Sequence, residues 1–434
     1  MHLLKLSVLV IISCLCPTEI YSEDNPFIKN ENGKLVVPEL ANYCVLSMVN
    51  DNEKMPVPFK TYGDTQMPMI HYPSLKDMML LRKDDILRLS CTKSRFSHDR
   101  IKHLDELTVR CVGYNNLEFE GHNYHFNELE CESTPSADFI FVNASCHSGQ
   151  YDVYAVGFTI RKGLIPVYTI CFNPKTKDTL YTWYSARLPF MRTSKEYEAK
   201  KFFQSEDLYG HMDLDTLYTV ENQTYIIGEF LKNKELAEKY VKREEDKYLI
   251  KGQLASSKDF YYVFEQLAAF YYVNTAPRWK KFDDDRWALL EESLRDMVFQ
   301  TGNRYMFVSG VYGSCKLRDK NNVYRHLSLS ENGEITVPMV FWKLLYNVDD
   351  KGGIVFLGTN NPYLKDEEFS FLCENLCQNG YRSDNAGAEL FKAPNPVYCC
   401  DLDSFQRVYG MITPVQVYKY LESLDVHIDE NTSV

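Results

Sequence analysis

Residues 251–295 read KGQLASSKDFYYVFEQLAAFYYVNTAPRWKKFDDDRWALLEESLR, and this stretch limits what the rest of the chain can build. Its end predicts a helix: Trp287, Leu290, Leu294 and Val298 recur at three- and four-residue intervals, one apolar stripe. Asp283 suits the N-cap, and Asp284 and Asp285 suit a first turn whose dipole favours negative charge. Phe260–Tyr272 is dense in rings, as expected of a buried segment, and Pro277 interrupts it. Three short runs stand at fixed spacing. They are Lys251-Gly252-Gln253-Leu254-Ala255, then Asn274-Thr275-Ala276-Pro277-Arg278-Trp279, then Asp283, Trp287, Glu291 and Arg295. Gln253 to Asn274 is 21 residues, Asn274 to Asp283 nine, and Asp283 to Glu291 eight.

Outward from this stretch the pattern is mixed. Upstream, Phe139–Val142, Val153–Ile160 and Ile165–Phe172 read as strands rich in aromatic and β-branched residues. Phe230–Tyr240 reads as a helix with a solvated charged face. Downstream, Arg304–Val311 and Ile354–Leu357 read as strands. Nearer the N-terminus, Lys34–Val37, Asp85–Cys91 and Glu106–Cys111 are short β-like runs, with Cys91, Cys111 and Cys131 at regular intervals. The expected organisation is a signal peptide over 1–22, a β-rich module over 23–131, a second domain over 132–400 and a tail over 401–434. The acidic stretch after Glu422 is expected to be mobile.

The address comes from the first residues. Lys5 precedes an apolar run from Leu6 to Cys16, too short to span a membrane, and cleavage after Ser22 leaves Glu23 first. No later segment has eighteen consecutive apolar residues, so an exported, extracellular protein with no membrane partner is expected. Of thirteen cysteines, Cys14 and Cys16 leave with the signal; the remaining eleven are an odd number in an oxidising compartment. Most should pair, at least one stays free or joins another chain, and Cys373, Cys377, Cys399 and Cys400 read as disulfide partners rather than zinc ligands. Sequons at Asn143, Asn222 and Asn431 fit a glycoprotein. With 48 basic and 60 acidic residues the formal charge is -12, which excludes a uniformly basic nucleic-acid binder but not a local basic groove.

The spaced runs around Gln253, Asn274 and Glu291 resemble the DNA/RNA non-specific endonuclease family. These are secreted ββα-metal nucleases, and the form here is like that of insect salivary members such as the tsetse salivary nuclease-like proteins. Gly310-Val311-Tyr312-Gly313, Val337-Pro338 with Trp342-Lys343, and Asn360-Asn361-Pro362 share the likeness, which covers roughly Phe139 to Tyr398. The resemblance implies an α+β fold: a central mixed or antiparallel sheet flanked by helices, here preceded by a small β-rich disulfide-bonded module. It also implies Mg²⁺ as cofactor and DNA and RNA as partners.

The departures from the family pattern bear on function. Where the family carries its general-base His, this chain has Gln253, whose amide cannot accept a proton from water. The family Arg before the glycine is Lys251, which keeps the charge without the bidentate fork. Its metal-holding Asn is matched by Asp283, a carboxylate that could still ligate Mg²⁺. Its Gln after Pro is Arg278, while Asn274, Glu291 and Arg295 stand unchanged. Lys251, Gln253, Asn274 and Glu291 thus make a degenerate catalytic set. Lys251, Arg278, Trp279, Lys280, Lys281 and Arg295 offer cations beside a ring, the combination for sequence-tolerant nucleic-acid binding, although Trp279 and Phe282 could instead pack the loop. Two other readings stay open. His211, in Tyr209-Gly210-His211-Met212, could replace the base of an active endonuclease, or the fold could serve as a secreted protein-binding scaffold. His122 and His125 have a metal-like spacing but no evident third ligand.

Overall fold

Every residue of the strand Val340–Asn347 is buried, the mark of a central strand covered on both faces. In the computed structural model it lies inside an eight-stranded sheet. The order is Asp138–Cys146, Tyr151–Ile160, Gly163–Asn173, Asp178–Ala186, Tyr305–Tyr312, Val340–Asn347, Gly352–Thr359 and Tyr398–Asp401. The pairs Tyr305–Tyr312 with Val340–Asn347 and Val340–Asn347 with Gly352–Thr359 are antiparallel over their full lengths. The structure describes residues 30–31, 34–35, 40–48, 52–62, 67–73, 78–147, 149–186, 203–282, 287–301, 304–364, 373–379 and 397–410. The expected signal peptide, Asp283, Asn431 and the acidic tail lie outside them.

The chain divides into two units. The first comprises Met1–Met48, Lys54–Pro135 and Thr159–Ile165. It holds a six-stranded sheet and the smaller pair Tyr43–Ser47 with Met78–Arg82, and it is stapled by Cys44–Cys111 and Cys91–Cys131. His122 there lies against the Arg100 guanidinium, 3.1 Å from either ring nitrogen. The second unit comprises Val49–Glu53, Ser136–Phe158 and Pro166–Val434.

Alternation along Val340–Asn347 sorts the second unit's core. Val340, Trp342, Leu344 and Tyr346 join Val308, Val355, Leu357 and the helix Leu402–Tyr409, whose Phe405 lies 5.1 Å from the Trp342 ring. That helix begins at Asp401, which caps Ser404 N–H at 2.8 Å. Close approach at this layer requires Gly310, where a Cβ would sit 2.5 Å from Leu180 O and from the Trp342 ring. On the opposite face, Phe341 meets Phe282 and Trp287, and Phe307 meets Tyr184. The helix Ala288–Thr301 brings Leu290, Leu294, Met297 and Val298 into the buried layer, as its stripe predicts.

Some local readings needed correction. The helix expected over Phe230–Tyr240 is two helices, Val220–Leu231 and Lys234–Tyr240, separated where Lys232 turns left-handed at φ 53°. Pro277 does not simply interrupt a core segment; it lies in the strand Thr275–Trp279, paired with Leu249–Gln253. A two-stranded ribbon tolerates a residue without N–H at its open side. Asn143 is exposed at a bulge, whereas Asn222 Nδ2 is shut from solvent within a helix, so the two sequons differ in access.

The cysteines pair as Cys146–Cys171, Cys373–Cys400 and Cys377–Cys399 in the second unit, which makes the last four disulfide partners rather than metal ligands. Cys315 is free and fully buried, and burial pushes its thiol up to about 12. A neutral, enclosed thiol should not react. Iodoacetamide at pH 8 should leave Cys315 unlabelled in the native protein and label it in denaturant without reductant, as read by peptide mass spectrometry. Rapid native labelling would contradict this packing.

Candidate functional site

The hairpin Leu249–Gln253 with Thr275–Trp279 carries Lys251, Gln253, Arg278 and Trp279, and Asn274 directly precedes its second strand. Its register sets Gln253 opposite Thr275 and Lys251 opposite Pro277. Gly252 lies so close to the Arg278 side chain that a Cβ would come within 2.5 Å of Nε. This explains a glycine there by contact alone.

Gln253 is held at both ends of its amide. Nε2 donates to Ala269 O at 3.0 Å, and Oε1 accepts from Ser257 N–H at 3.1 Å. Asn274 is fully buried and equally committed. Its Nδ2 donates to Ala255 O at 2.8 Å and Ala269 O at 2.9 Å, while Oδ1 accepts from Ala255 N–H at 2.9 Å. The two amides therefore converge on one carbonyl, Ala269 O, and knit the hairpin to the segment between its two strands.

Beneath this knot lies a cluster of four charges. Lys343 Nζ donates to Asp259 Oδ2 at 3.0 Å and to Glu291 Oε1 at 3.2 Å. Arg295 donates to Asp259 Oδ1 at 2.9 Å, and Tyr184 OH donates to Oδ2. Lys343 and Asp259 are almost wholly buried. Burial alone would raise the Asp259 carboxyl, but Lys343 and Arg295, with the Tyr184 hydrogen bond, hold it below the usual carboxylate range. Glu291 and Arg295 are thus bound to different partners and turned inward. Neither Asp259 nor Tyr184 was singled out in the sequence. Their only signal was ionisable groups amid aromatic runs, and Lys343 likewise interrupts an apolar strand.

The remaining candidates divide by burial. Arg278 is inside: it donates to Gln253 O at 2.8 Å and its guanidinium lies 4.4 Å over the Phe341 ring. Trp279 is fully buried and edge-on to Tyr363, and its main-chain N–H donates to Asn360 Oδ1 at 2.8 Å. No ring face is left there for a base, and Phe282 packs on Trp287; the loop-packing alternative describes both. Lys280 is half-buried and Lys281 exposed. Their N–H groups donate to Tyr248 O and Asp246 O, which brings them beside the segment that carries Lys242, Arg243 and Lys247. Lys251 Nζ meets the Asp215 carboxylate and lies 4.7 Å from the Tyr272 ring and 4.9 Å from that of Phe203. His211 is exposed in the turn before the helix Leu214–Leu217.

The described donors do not fit a divalent metal. Asn274 Oδ1 and Gln253 Oε1 each already accept a main-chain N–H, Asp259 and Glu291 are neutralised by Lys343 and Arg295, and Asp283 lies outside the described residues. A hard cation needs several oxygens with lone pairs to spare. Among the described residues no group of three or more His, Cys, Asp or Glu could hold an ion. Also among them, no helix is long and apolar enough to cross a membrane.

Comparison with known proteins adds the family. A model of the family described as DNA/RNA non-specific endonuclease matches residues 150–403, more than half of the chain. The chain is similar to a "Salivary endonuclease" of Lutzomyia longipalpis, 26% identical over 298 residues, covering 68% of this chain and 70% of the relative. It is also similar to "Salivary protein Tsal2A" of Glossina morsitans morsitans, 24% identical over 284 residues, 64% of this chain and 69% of that one. A solved structure of an EndoG/EndoGI complex aligns with TM-score 0.35 and 12% identity, over 58% of this chain and 84% of its own.

The charge cluster yields a pH prediction. A carboxyl held below its unfolded pKa near 4 adds stability that is complete above about pH 4 and drains away as pH falls through the folded value. Asp259→Asn should lower unfolding free energy at pH 7 by about 3–5 kcal/mol, because two buried cations lose their shared counter-charge. Its stability should also fall less steeply than the wild type's below about pH 4. Urea titrations from pH 7 to pH 2.5 measure both, and parallel acid slopes would argue against the assignment.

Proposed function

The chain belongs to the DNA/RNA non-specific endonuclease family, and we propose that it is a secreted member that binds DNA and RNA without regard to sequence and has lost efficient hydrolysis. The observation that carries this reading is Gln253, which stands where the family resemblance puts the base. Its oxygen is committed to Ser257 N–H and its nitrogen to Ala269 O. An amide in that state takes no proton from water, and the loss of a general base costs about 10²–10⁴-fold in rate.

Binding is supported by what remains at the surface. Lys242, Arg243, Lys247, Lys280 and Lys281 come onto adjoining segments, with Glu244, Glu245 and Asp246 as the local acids. Glu245 pairs with Lys242 and Lys247 at 2.5 Å; Arg243 and Lys281 are exposed and Lys280 half-buried, and these three are the cations assigned to phosphates. Five disulfides suit an oxidising extracellular location. The printed name of the Lutzomyia longipalpis relative favours a second reading, an active metal-dependent endonuclease, for which exposed His211 is the replacement base.

One preparation of the secreted protein, assayed for binding and cleavage with and without Mg²⁺, separates these readings. Retention of both DNA and RNA without degradation is expected. Arg243→Ala with Lys280→Ala and Lys281→Ala should weaken binding and flatten the salt slope by about one unit per lost phosphate contact. Mg²⁺-dependent digestion of plasmid that disappears in His211→Ala would establish the second reading. Gln253→His alone should not restore nicking, since Lys251, Arg278 and Asp283 also depart from the family pattern.

A further inference from the structure

Beside the hairpin the second unit contains a cavity of about 660 Å³, within the usual range of small-ligand sites. Its wall includes the rings of Tyr209, Tyr218, Tyr272 and Tyr312, with Asp178 and His147 as polar groups. Two of those rings have a second role. Tyr272 and Tyr218 also lie 4.7 Å and 5.7 Å from Lys251 Nζ, so the cavity and the Lys251 ammonium share a wall. Lys251 is mostly covered, whereas its Asp215 counter-ion is 75% exposed and can swing away without opening a core. Tyr272 OH also donates to Asp215, so the carboxylate occupies the donors an anion would want.

We propose that this cavity takes one unpaired nucleobase of a single-stranded nucleic acid, whose phosphate displaces the Asp215 carboxylate from Lys251. The inference rests on the reading of the chain as a nucleic-acid binder and adds the class of nucleic acid. Of these rings Tyr218 and Tyr312 are only partly buried, and a tyrosine face stacks on any base, which gives affinity without sequence readout. Asp178 is held to the wall by Thr336 N–H at 2.8 Å and by the Thr336 hydroxyl. Nδ1 of His147 is shut from solvent without a hydrogen-bond partner among the described residues. A base in a duplex is stacked and paired, and must be extruded before it can enter, so a duplex binds less well.

Fluorescence anisotropy with a labelled single-stranded oligonucleotide and the duplex of the same sequence tests this on the full secreted chain. Single strand should bind about tenfold or more tighter, matching the energy of extrusion. Adenosine 5′-monophosphate should displace it far better than inorganic phosphate does. Ser314→Trp, which fills the cavity from its edge, should bring the single-strand to duplex ratio toward one. Asp215→Asn should tighten binding several-fold and steepen its salt dependence. Equal affinity of wild type for the two forms, or displacement by phosphate as good as by the nucleotide, overturns the inference and leaves general binding standing. No binding of either form overturns both.

Discussion

Asp259, Lys343, Glu291 and Arg295 carry two charges of each sign into a volume almost closed to water. Each such ion forfeits several kcal/mol of hydration, so none of the four is tolerable without the others. Their mutual satisfaction fixes three elements at once: the strand Val340–Asn347, the helix Ala288–Thr301 and the turn Ser257–Asp259. That turn presents Ser257 N–H to Gln253. The orientation of the central amide is thereby inherited from an ionic contact several side chains away.

The same dependence explains why an amide suits position 253. The loop offers one acceptor, Ala269 O, and one donor, Ser257 N–H, at fixed places. A glutamine has one nitrogen donor and one oxygen acceptor and meets both without titrating. A histidine that filled both roles would be locked as one neutral tautomer, with no lone pair left for a water proton. Asn274 shares the acceptor Ala269 O with Gln253, so both amides serve the hairpin's structure.

Much of the frame was legible in the sequence because it depends on local pattern. The stripe of Trp287, Leu290, Leu294 and Val298 declares a helix whatever it packs on. The strands Tyr305–Tyr312 and Gly352–Thr359 were visible as apolar runs. Asp178–Ala186 and Val340–Asn347 were not read, since polar residues such as Thr179 and Lys343 break their apolar character until long-range pairing absorbs them. The break at Lys232 was hidden for another reason: nothing in its neighbours demands a left-handed residue.

The sequence by itself determined the family, through residue types at set intervals, and the non-titrating amide at Gln253, because a side chain's proton chemistry is written in its identity. The tertiary structure alone decided direction. In the ribbon Thr275–Trp279 alternation gives every other residue to each side, but only packing against Phe341 and Tyr363 turns Arg278 and Trp279 inward. It also decided that Glu291 answers to Lys343, fifty-two residues away, and that Lys251 answers to Asp215, thirty-six away. Separations of that kind are closed by the fold, and no short-range pattern records which ions it will bring together.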